Sequence, residues 1–182
     1  MLKTVFVPVV LAGLLTACTA TKEVSSTDKL SSAEKKAAEQ MAIKKAIESR
    51  KYVIRADKIQ PSGGLPVDLV PRHNFIIING ELASVSLAYL GRSFGVRQIT
   101  GINFNGRTGK YQMKSNEAKG TYDIYVEVLR DNDKFDLYLT LGTEGYCSFS
   151  INNSYIETMR YSGTIEPLAE KPVRAKATGT KM

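Results

Sequence analysis

The sequence predicts a mainly β domain, an antiparallel meander that closes into a barrel or a sandwich, with one N-terminal helix. Apolar and polar residues alternate with period two through much of Tyr122 to Leu141, and turn-forming residues separate such runs. Asn79-Gly80 and Asn105-Gly106 each follow an apolar segment, which predicts a tight hairpin because both residue types tolerate positive φ. About eight or nine short strands with one apolar face must curl into a barrel or a sandwich to bury that face.

The chain begins with the pattern of a bacterial export signal. Lys3 precedes an apolar run from Val5 to Ala17, which is too short to cross about 30 Å of hydrocarbon as a helix. A basic start and a short apolar stretch are typical of a secretory signal peptide. Leu15-Thr16-Ala17-Cys18 resembles the lipobox of bacterial lipoproteins, in which the cysteine is acylated and the chain is cut before it. We expect residues 1–17 to be a lipoprotein signal peptide and Cys18 to carry lipid; the alternative is an unlipidated signal peptide with a chance cysteine.

One helix is predicted before the sheet. Ser31 followed by Glu34 can form a capping box, and the alanine, lysine and glutamate content that follows favours a helix. Ala37, Met41 and Ile47 supply a modest apolar stripe. So thin a stripe fits a helix docked on the edge of the domain or one that serves as a stalk, and we favour docking.

The helix and the sheet are predicted to form one domain, residues 31–166, between two polar ends. Residues 18–30 have no periodicity and predict a flexible tether, whereas residues 167–182 carry two prolines and scattered basic charge, which is typical of a disordered tail. The net charge is +7, yet twelve Lys and Arg balance twelve Asp and Glu between Tyr52 and Glu166. The excess positive charge lies at the ends, which is unlike the clustered basic patch of a nucleic-acid binder.

Cys147 is predicted to be a buried structural thiol. The chain has two cysteines, so if Cys18 carries lipid then Cys147 has no partner within the chain. Cys147, Phe149 and Ile151 alternate with tyrosine and serine residues, and on a strand they would face the core together. A free cysteine commonly packs as a small hydrophobic residue.

The sequence contains no motif for catalysis or metal binding, so we expect no enzyme, no cofactor and no metal site. His73 is the single histidine, and without partners it cannot build a zinc site. No serine lies in a G-x-S-x-G nucleophile elbow. Asp123, Glu127 and Asp136 lie on the polar faces of predicted strands, which favours a solvated surface over a catalytic carboxylate pair.

Residues 84–96 depart from simple alternation. Gly91 and Gly95 among bulky residues predict a sharp bend or a close backbone approach. Aromatic faces beside planar arginine donors suit a carboxylate or a sugar. The competing interpretation is that the aromatic rings plug the end of a barrel while the arginines pair with surface carboxylates, and we favour it slightly. The candidate ligand-binding residues of this segment are Tyr89, Arg92, Phe94 and Arg97.

Several short stretches, taken in order, resemble a known family. They are an N-terminal helix, the "PSGG" loop, the "NG" hairpin, "LAYLGRS", "INF" and "YSGTI". This order resembles that of a family of lipoproteins from Bacteroides-type bacteria, the domain of unknown function family 4251. The resemblance covers this chain from about Ile47 to Ile165. Its most specific part is a Leu-Pro-Tyr-Phe-Gly-like stretch, matched here at Leu87, Tyr89 and Gly91, with alanine and leucine in place of the usual proline and phenylalanine. The resemblance implies a lipid-anchored β domain and brings no known activity or catalytic residues.

The predicted anchor, the β-meander and the lack of catalytic motifs favour a non-catalytic binding or interaction module of the cell envelope. We expect a lipid anchor in the outer membrane with the domain facing the periplasm, since position 19 is threonine rather than the aspartate of inner-membrane retention signals. The expected partner is a small molecule, a peptide or an envelope protein. The alternative is a structural or assembly accessory of the envelope without a ligand pocket. Exposed aromatic residues beside a cavity would favour the first function, and a flat apolar patch the second.

Overall fold

The computed structural model describes residues 32–94 and 99–169. Within these ranges one helix, α1 (Ser32–Glu48), precedes nine strands. The strands in chain order are β1 (Lys51–Gln60), β2 (Val67–Asp68), β3 (Phe75–Asn79), β4 (Leu82–Ala88), β5 (Gly101–Asn116), β6 (Thr121–Arg130), β7 (Asp133–Gly142), β8 (Tyr146–Asn153) and β9 (Ile156–Pro167). None of the helical residues described forms a segment long and apolar enough to cross a membrane. The predicted signal peptide, the tether and most of the predicted tail lie outside the described residues.

Eight of the strands close into an antiparallel barrel. From β3 to β9 each strand pairs with the next one in the chain, and β1 joins the two ends by pairing with both β3 and β9. β2 is an extra strand that pairs with Lys58 and Ile59 of β1, beyond the part of β1 that β3 covers. The prediction of a mainly β meander with one N-terminal helix is confirmed, and of the two architectures that it allowed the chain adopts the barrel.

Inward-facing side chains fill the barrel. On β6 the apolar residues of the alternating pattern are buried, and so are their neighbours on β7. Several core side chains have no exposed surface at all, among them Ile54, Ile76, Val126 and Leu137. An eight-stranded barrel is just wide enough for its interior to be filled by side chains. The interior therefore serves as the hydrophobic core, and the outer face and the two ends are the surfaces left for a ligand.

One of the two predicted Asn-Gly hairpins is wrong. Asn79-Gly80 does connect β3 to β4, with Gly80 at a φ of 62°. Asn105-Gly106 instead lies inside β5, where Gly106 pairs with Ala83 of β4. A Cβ atom on Gly106 would lie 2.6 Å from the carbonyl oxygen of Leu129. This glycine therefore allows β6 to approach β5 closely, and it does not turn the chain.

Helix α1 docks on the barrel by its C-terminal half. Ile43, Ala46 and Ile47 are buried in the core, whereas Met41 is 72 % exposed and Ala37 is exposed as well. The predicted apolar stripe is therefore wrong except at Ile47. The reason is geometric: β1 begins directly after the helix, so only the last turns of α1 pack into the core. Further up the helix, Lys36 and Gln40 reach the turn between β7 and β8 through polar contacts with Glu144.

Cys147 lies in the core, as its alternation pattern predicts. It is 3 % exposed, and burial, with a smaller effect of Asp57, raises the pKa of its thiol to about 12.

Because the thiolate is the reactive form of a cysteine, we expect Cys147 to react slowly with an aromatic disulfide reagent in the native protein and fast in denaturant. The rates should be measured on the Cys18→Ser variant, in which Cys147 is the single thiol. Equal rates in both conditions would contradict the protection.

Candidate functional site

The segment that the sequence singles out crosses one end of the barrel. This crossing segment, residues 89–94, follows β4 and reaches the turn between β8 and β9. The backbone N–H of Phe94 donates to the carbonyl oxygen of Tyr155 at 2.8 Å, and the N–H of Glu157 donates to that of Arg92 at 2.9 Å. In the strand order of the barrel, β4 and β8 lie on opposite sides. The crossing segment therefore spans the opening.

Tyr89 is buried beneath the crossing segment. Its side chain is 1 % exposed, and its hydroxyl lies within hydrogen-bond distance of two carbonyl oxygens, 2.6 Å from that of Arg92 and 3.1 Å from that of Glu157. Burial raises the pKa of this hydroxyl. Tyr89 thus ties the crossing segment to β9 and presents no surface to a ligand in this conformation.

The two other candidate residues that the structure describes do not join Tyr89 in the core. Arg92 is exposed, Phe94 is 69 % exposed, and Arg97 lies outside the described residues. A Cβ atom on Gly91 would lie 2.6 Å from the hydroxyl oxygen of Tyr89, which is the close backbone approach that the sequence predicts at this glycine. Of the candidate residues that the structure describes, Tyr89 therefore lies in the core, whereas Arg92 and Phe94 face solvent.

A second candidate site, which the sequence did not single out, lies on the outside of the barrel. A groove of about 560 Å³ runs across the outer face from β5 to β9. We call it the outer groove. Two rows of outward-facing side chains, aligned by strand pairing, border it. The first row is Gln112, Tyr125, Tyr138, Ser150 and Arg160, and the second is Lys114, Asp123, Thr140 and Ser148.

Two tyrosines form the centre of the outer groove. Tyr125 and Tyr138 face each other on β6 and β7, with ring centroids 5.3 Å apart. The hydroxyl of Tyr125 donates to Asp136 at 2.6 Å, and this hydrogen bond, with burial second, raises the pKa of Tyr125 to about 12. Tyr138 is 53 % exposed, and its hydroxyl has no hydrogen-bond partner within residues 32–94 and 99–169. One ring is therefore held in place while the other is open to solvent.

Small polar residues and an arginine extend the outer groove beyond Tyr138. Ser148 and Ser150 face outward on β8, and Arg160 follows on β9. Among the described residues, the two serine hydroxyls and the Arg160 guanidinium have no side-chain hydrogen bond or ion pair. Arg160 also borders a second cavity of about 410 Å³, next to the loop around Gly63. These polar groups are available to a ligand.

The carboxylates that the sequence singles out are engaged with other side chains. Asp123 accepts a hydrogen bond from Thr140 at 2.8 Å. Glu127 and Asp136 each lie 3.6 Å from the ammonium nitrogen of Lys134. In the described ranges no three His, Cys, Asp or Glu residues are grouped closely enough to hold a metal ion. These contacts agree with the solvated surface that period-two placement favours.

Comparisons with known proteins point to one family. The family model described as a domain of unknown function, DUF4251, matches residues 34–165. The fold is similar to that in the crystal structure of a DUF4251 family protein from Bacteroides eggerthii DSM 20697, with a TM-score of 0.62 and 18 % sequence identity, over 73 % of this chain and 90 % of that chain. A likeness at this identity supports the fold and carries no function. No curated protein matches the chain.

Proposed function

Because the chain belongs to the DUF4251 family of domains of unknown function, we propose a function from its own geometry: a lipid-anchored, non-catalytic binding module of the cell envelope. The outer groove is the proposed ligand site. The observation that carries the proposal is the exposed ring of Tyr138 beside Ser150 and Arg160, whose side chains form no hydrogen bond or ion pair with any described residue. An exposed aromatic residue with a few convergent polar groups is the usual composition of a small-molecule site.

A second candidate function rests on the end of the barrel where the crossing segment lies. Leu90, Phe94 and Tyr155 are 51 %, 69 % and 60 % exposed, and backbone hydrogen bonding brings Phe94 and Tyr155 together. Exposed apolar side chains of this kind favour contact with a partner protein. This surface supports the alternative of an envelope assembly accessory.

The outer groove can be blocked from outside without touching the core. In the Ser150→Trp variant an indole would occupy the groove, since position 150 faces outward between Tyr138 and Arg160. We expect a library of glycans, peptides and lipids to contain a ligand that raises the melting temperature of the wild type, because a ligand that binds only the folded state stabilises it. That shift should be lost in Ser150→Trp.

Thr164→Trp is the matched control for Ser150→Trp. Thr164 is exposed on β9 and does not line the outer groove, so this variant should keep the shift. A ligand that stabilises Ser150→Trp as well as the wild type would place the site elsewhere. A ligand lost in Phe94→Ser and retained in Ser150→Trp would favour the barrel end.

The anchor is tested separately from the groove. We expect cells that express the wild-type protein to incorporate a fatty-acid analogue into it and to retain it in the outer-membrane fraction, because several acyl chains bind a membrane durably. The Cys18→Ser variant should take up no label, while Cys147→Ser should be labelled like the wild type. Label on the Cys18→Ser protein would contradict the anchor.

A further inference from the structure

We infer that the outer groove binds an oligosaccharide that carries carboxylate groups. The inference rests on the proposed function, since it names the ligand class of that same groove. Three properties of the groove carry it: an exposed aromatic ring at its centre, a run of open hydroxyl groups beside the ring, and cations at its two ends that form no ion pair with the residues that the structure describes.

The aromatic ring suits a sugar because of its position and its support. A pyranose ring presents a face of C–H groups that packs on an aromatic face, while its hydroxyls point outward. Tyr138 offers such a face and is 53 % exposed. Tyr125 lies beside it with the two ring planes 45° apart, and the hydrogen bond from Tyr125 to Asp136 holds that neighbour in place. A platform ordered before binding loses little side-chain entropy when the ligand arrives.

The hydroxyl groups next to Tyr138 match the polar edge of a sugar. Ser150 pairs with Tyr138 across β7 and β8, and Ser148 lies two residues away on the same face. Each serine hydroxyl can both donate and accept, as each sugar hydroxyl can. An apolar ligand would cover these hydroxyls without satisfying them, which is unfavourable. The floor of the groove therefore favours a polyhydroxylated ligand.

The charges of the groove select an acidic ligand. Arg160 on β9 and Lys114 on β5 have no ion pair among the described residues. Asp123 is the single carboxylate among the residues that line the groove, and it already accepts a hydrogen bond from Thr140. An arginine guanidinium binds a carboxylate through two parallel hydrogen bonds. Arg160 and Lys114 are therefore the groups that would bind the carboxylates of a ligand, since the nearby Asp136 is already engaged with Tyr125 and Lys134.

The separation of the two cations sets the size of the ligand. Along the curved outer face of the barrel, the path from β5 to β9 crosses four strand-to-strand steps, which is about 19 Å at the usual spacing between neighbouring strands. A single sugar does not cover a path of that length, whereas a short chain of acidic sugars that follows the outer face can contact both Lys114 and Arg160. The groove geometry thus points to an oligosaccharide rather than a monosaccharide.

Calorimetric titration of the purified protein tests this inference with defined probes. The acidic probes are trimers of galacturonate and of mannuronate. Maltotriose is the neutral sugar control, and tricarballylate supplies carboxylates without a sugar. We expect at least one acidic trimer to bind. Arg160→Gln should weaken that binding about tenfold, since a charge-assisted hydrogen bond contributes about this much, and Tyr138→Ala should weaken it about tenfold because it removes the aromatic face on which the sugar packs. Arg107→Gln, at an exposed arginine of β5 outside the groove, should bind like the wild type.

The outcomes separate the ligand class from the proposed function. Maltotriose binding as tightly as the acidic trimers, or tricarballylate binding as tightly as either, would overturn the inference. So would the failure of both acidic trimers while another library ligand still depends on position 150, and in that case the binding module would stand. If no ligand depends on the groove, both the inference and the proposed function fail.

Discussion

Replacing Tyr89 with alanine is expected to lower the free energy of unfolding by about 3–5 kcal/mol, the usual effect of deleting a buried aromatic side chain. The ring is 1 % exposed, so its loss leaves a cavity beneath the crossing segment. The hydroxyl contact with the carbonyl oxygens of Arg92 and Glu157 is lost as well. Chemical denaturation followed by circular dichroism measures the change.

Two matched variants separate the contributions of the ring and of the segment above it. Tyr89→Phe keeps the ring and removes the hydroxyl, so it should lower the free energy of unfolding by about 1 kcal/mol, the usual net contribution of a hydrogen bond, because the Arg92 carbonyl oxygen still accepts from the Glu157 N–H. Arg92→Ala should change it little, because the Arg92 side chain is exposed and its carbonyl oxygen remains. A loss in Arg92→Ala as large as in Tyr89→Ala would contradict the assignment of Tyr89 as the group that holds this end closed.

Gly163→Ala is expected to lower the free energy of unfolding by about 3 kcal/mol, at the upper end of the usual effect of overpacking. Gly163 pairs with Ala56 where β9 meets β1. A Cβ atom there would overlap the carbonyl oxygen of Arg55 and lie 2.8 Å from its carbonyl carbon. Backbone atoms cannot swing aside as a flexible side chain does, so β1 must move. Because this pairing closes the barrel, the variant should unfold at a clearly lower denaturant concentration.

Gly109→Ala provides the control for Gly163→Ala. It is also a strand glycine, but a Cβ atom on Gly109 would meet the end of the Glu127 side chain at 2.8 Å and the side chain of Leu129 at 3.3 Å. These side-chain atoms can shift, so we expect a change of less than about 1 kcal/mol. Equal losses in the two variants would indicate that the close approach at the β1–β9 seam is not the cause.

Local sequence patterns determined where the strands of the second half lie and which way their side chains point. The alternation through β6 and β7 places Ile124 and Leu139 inward because successive side chains of a strand point to opposite faces. The turns at residues 131–132 and 143–145 follow from Asp, Asn and Gly residues in the same way. The helix was predictable from composition. Strand faces, tight turns and helix propensity depend on residues that are close together in the chain, so the sequence alone predicts them.

The patterns that misled the prediction depend on partners far away in the chain. Asn105-Gly106 has the composition of a hairpin turn, yet Gly106 is required where the backbone of Leu129 comes close. Met41 fits an apolar helix stripe, yet the docking of α1 leaves it in solvent. In both places the tertiary contact, rather than the local preference, decided the structure.

The two candidate sites also differ in whether they depend on neighbours in the chain or on contacts between distant residues. The sequence pointed to the crossing segment because glycines and aromatic residues stand together in it, and the structure shows Tyr89 closing the barrel end. It did not point to the outer groove, because Tyr138, Ser150 and Arg160 come from three strands and become neighbours only through strand register. The available signal was two tyrosines at polar-face positions of one hairpin, Tyr125 and Tyr138.

By itself, the sequence determined a mainly β meander with one preceding helix, a buried Cys147 and the family to which the chain belongs. Only the tertiary structure decided between barrel and sandwich, because both bury the same apolar face and differ in one pairing, that of β1 with β9. No local pattern in the sequence predicts the pairing of β1 with β9. Its strands lie about a hundred residues apart, and they meet where Gly163 lets two backbones come together.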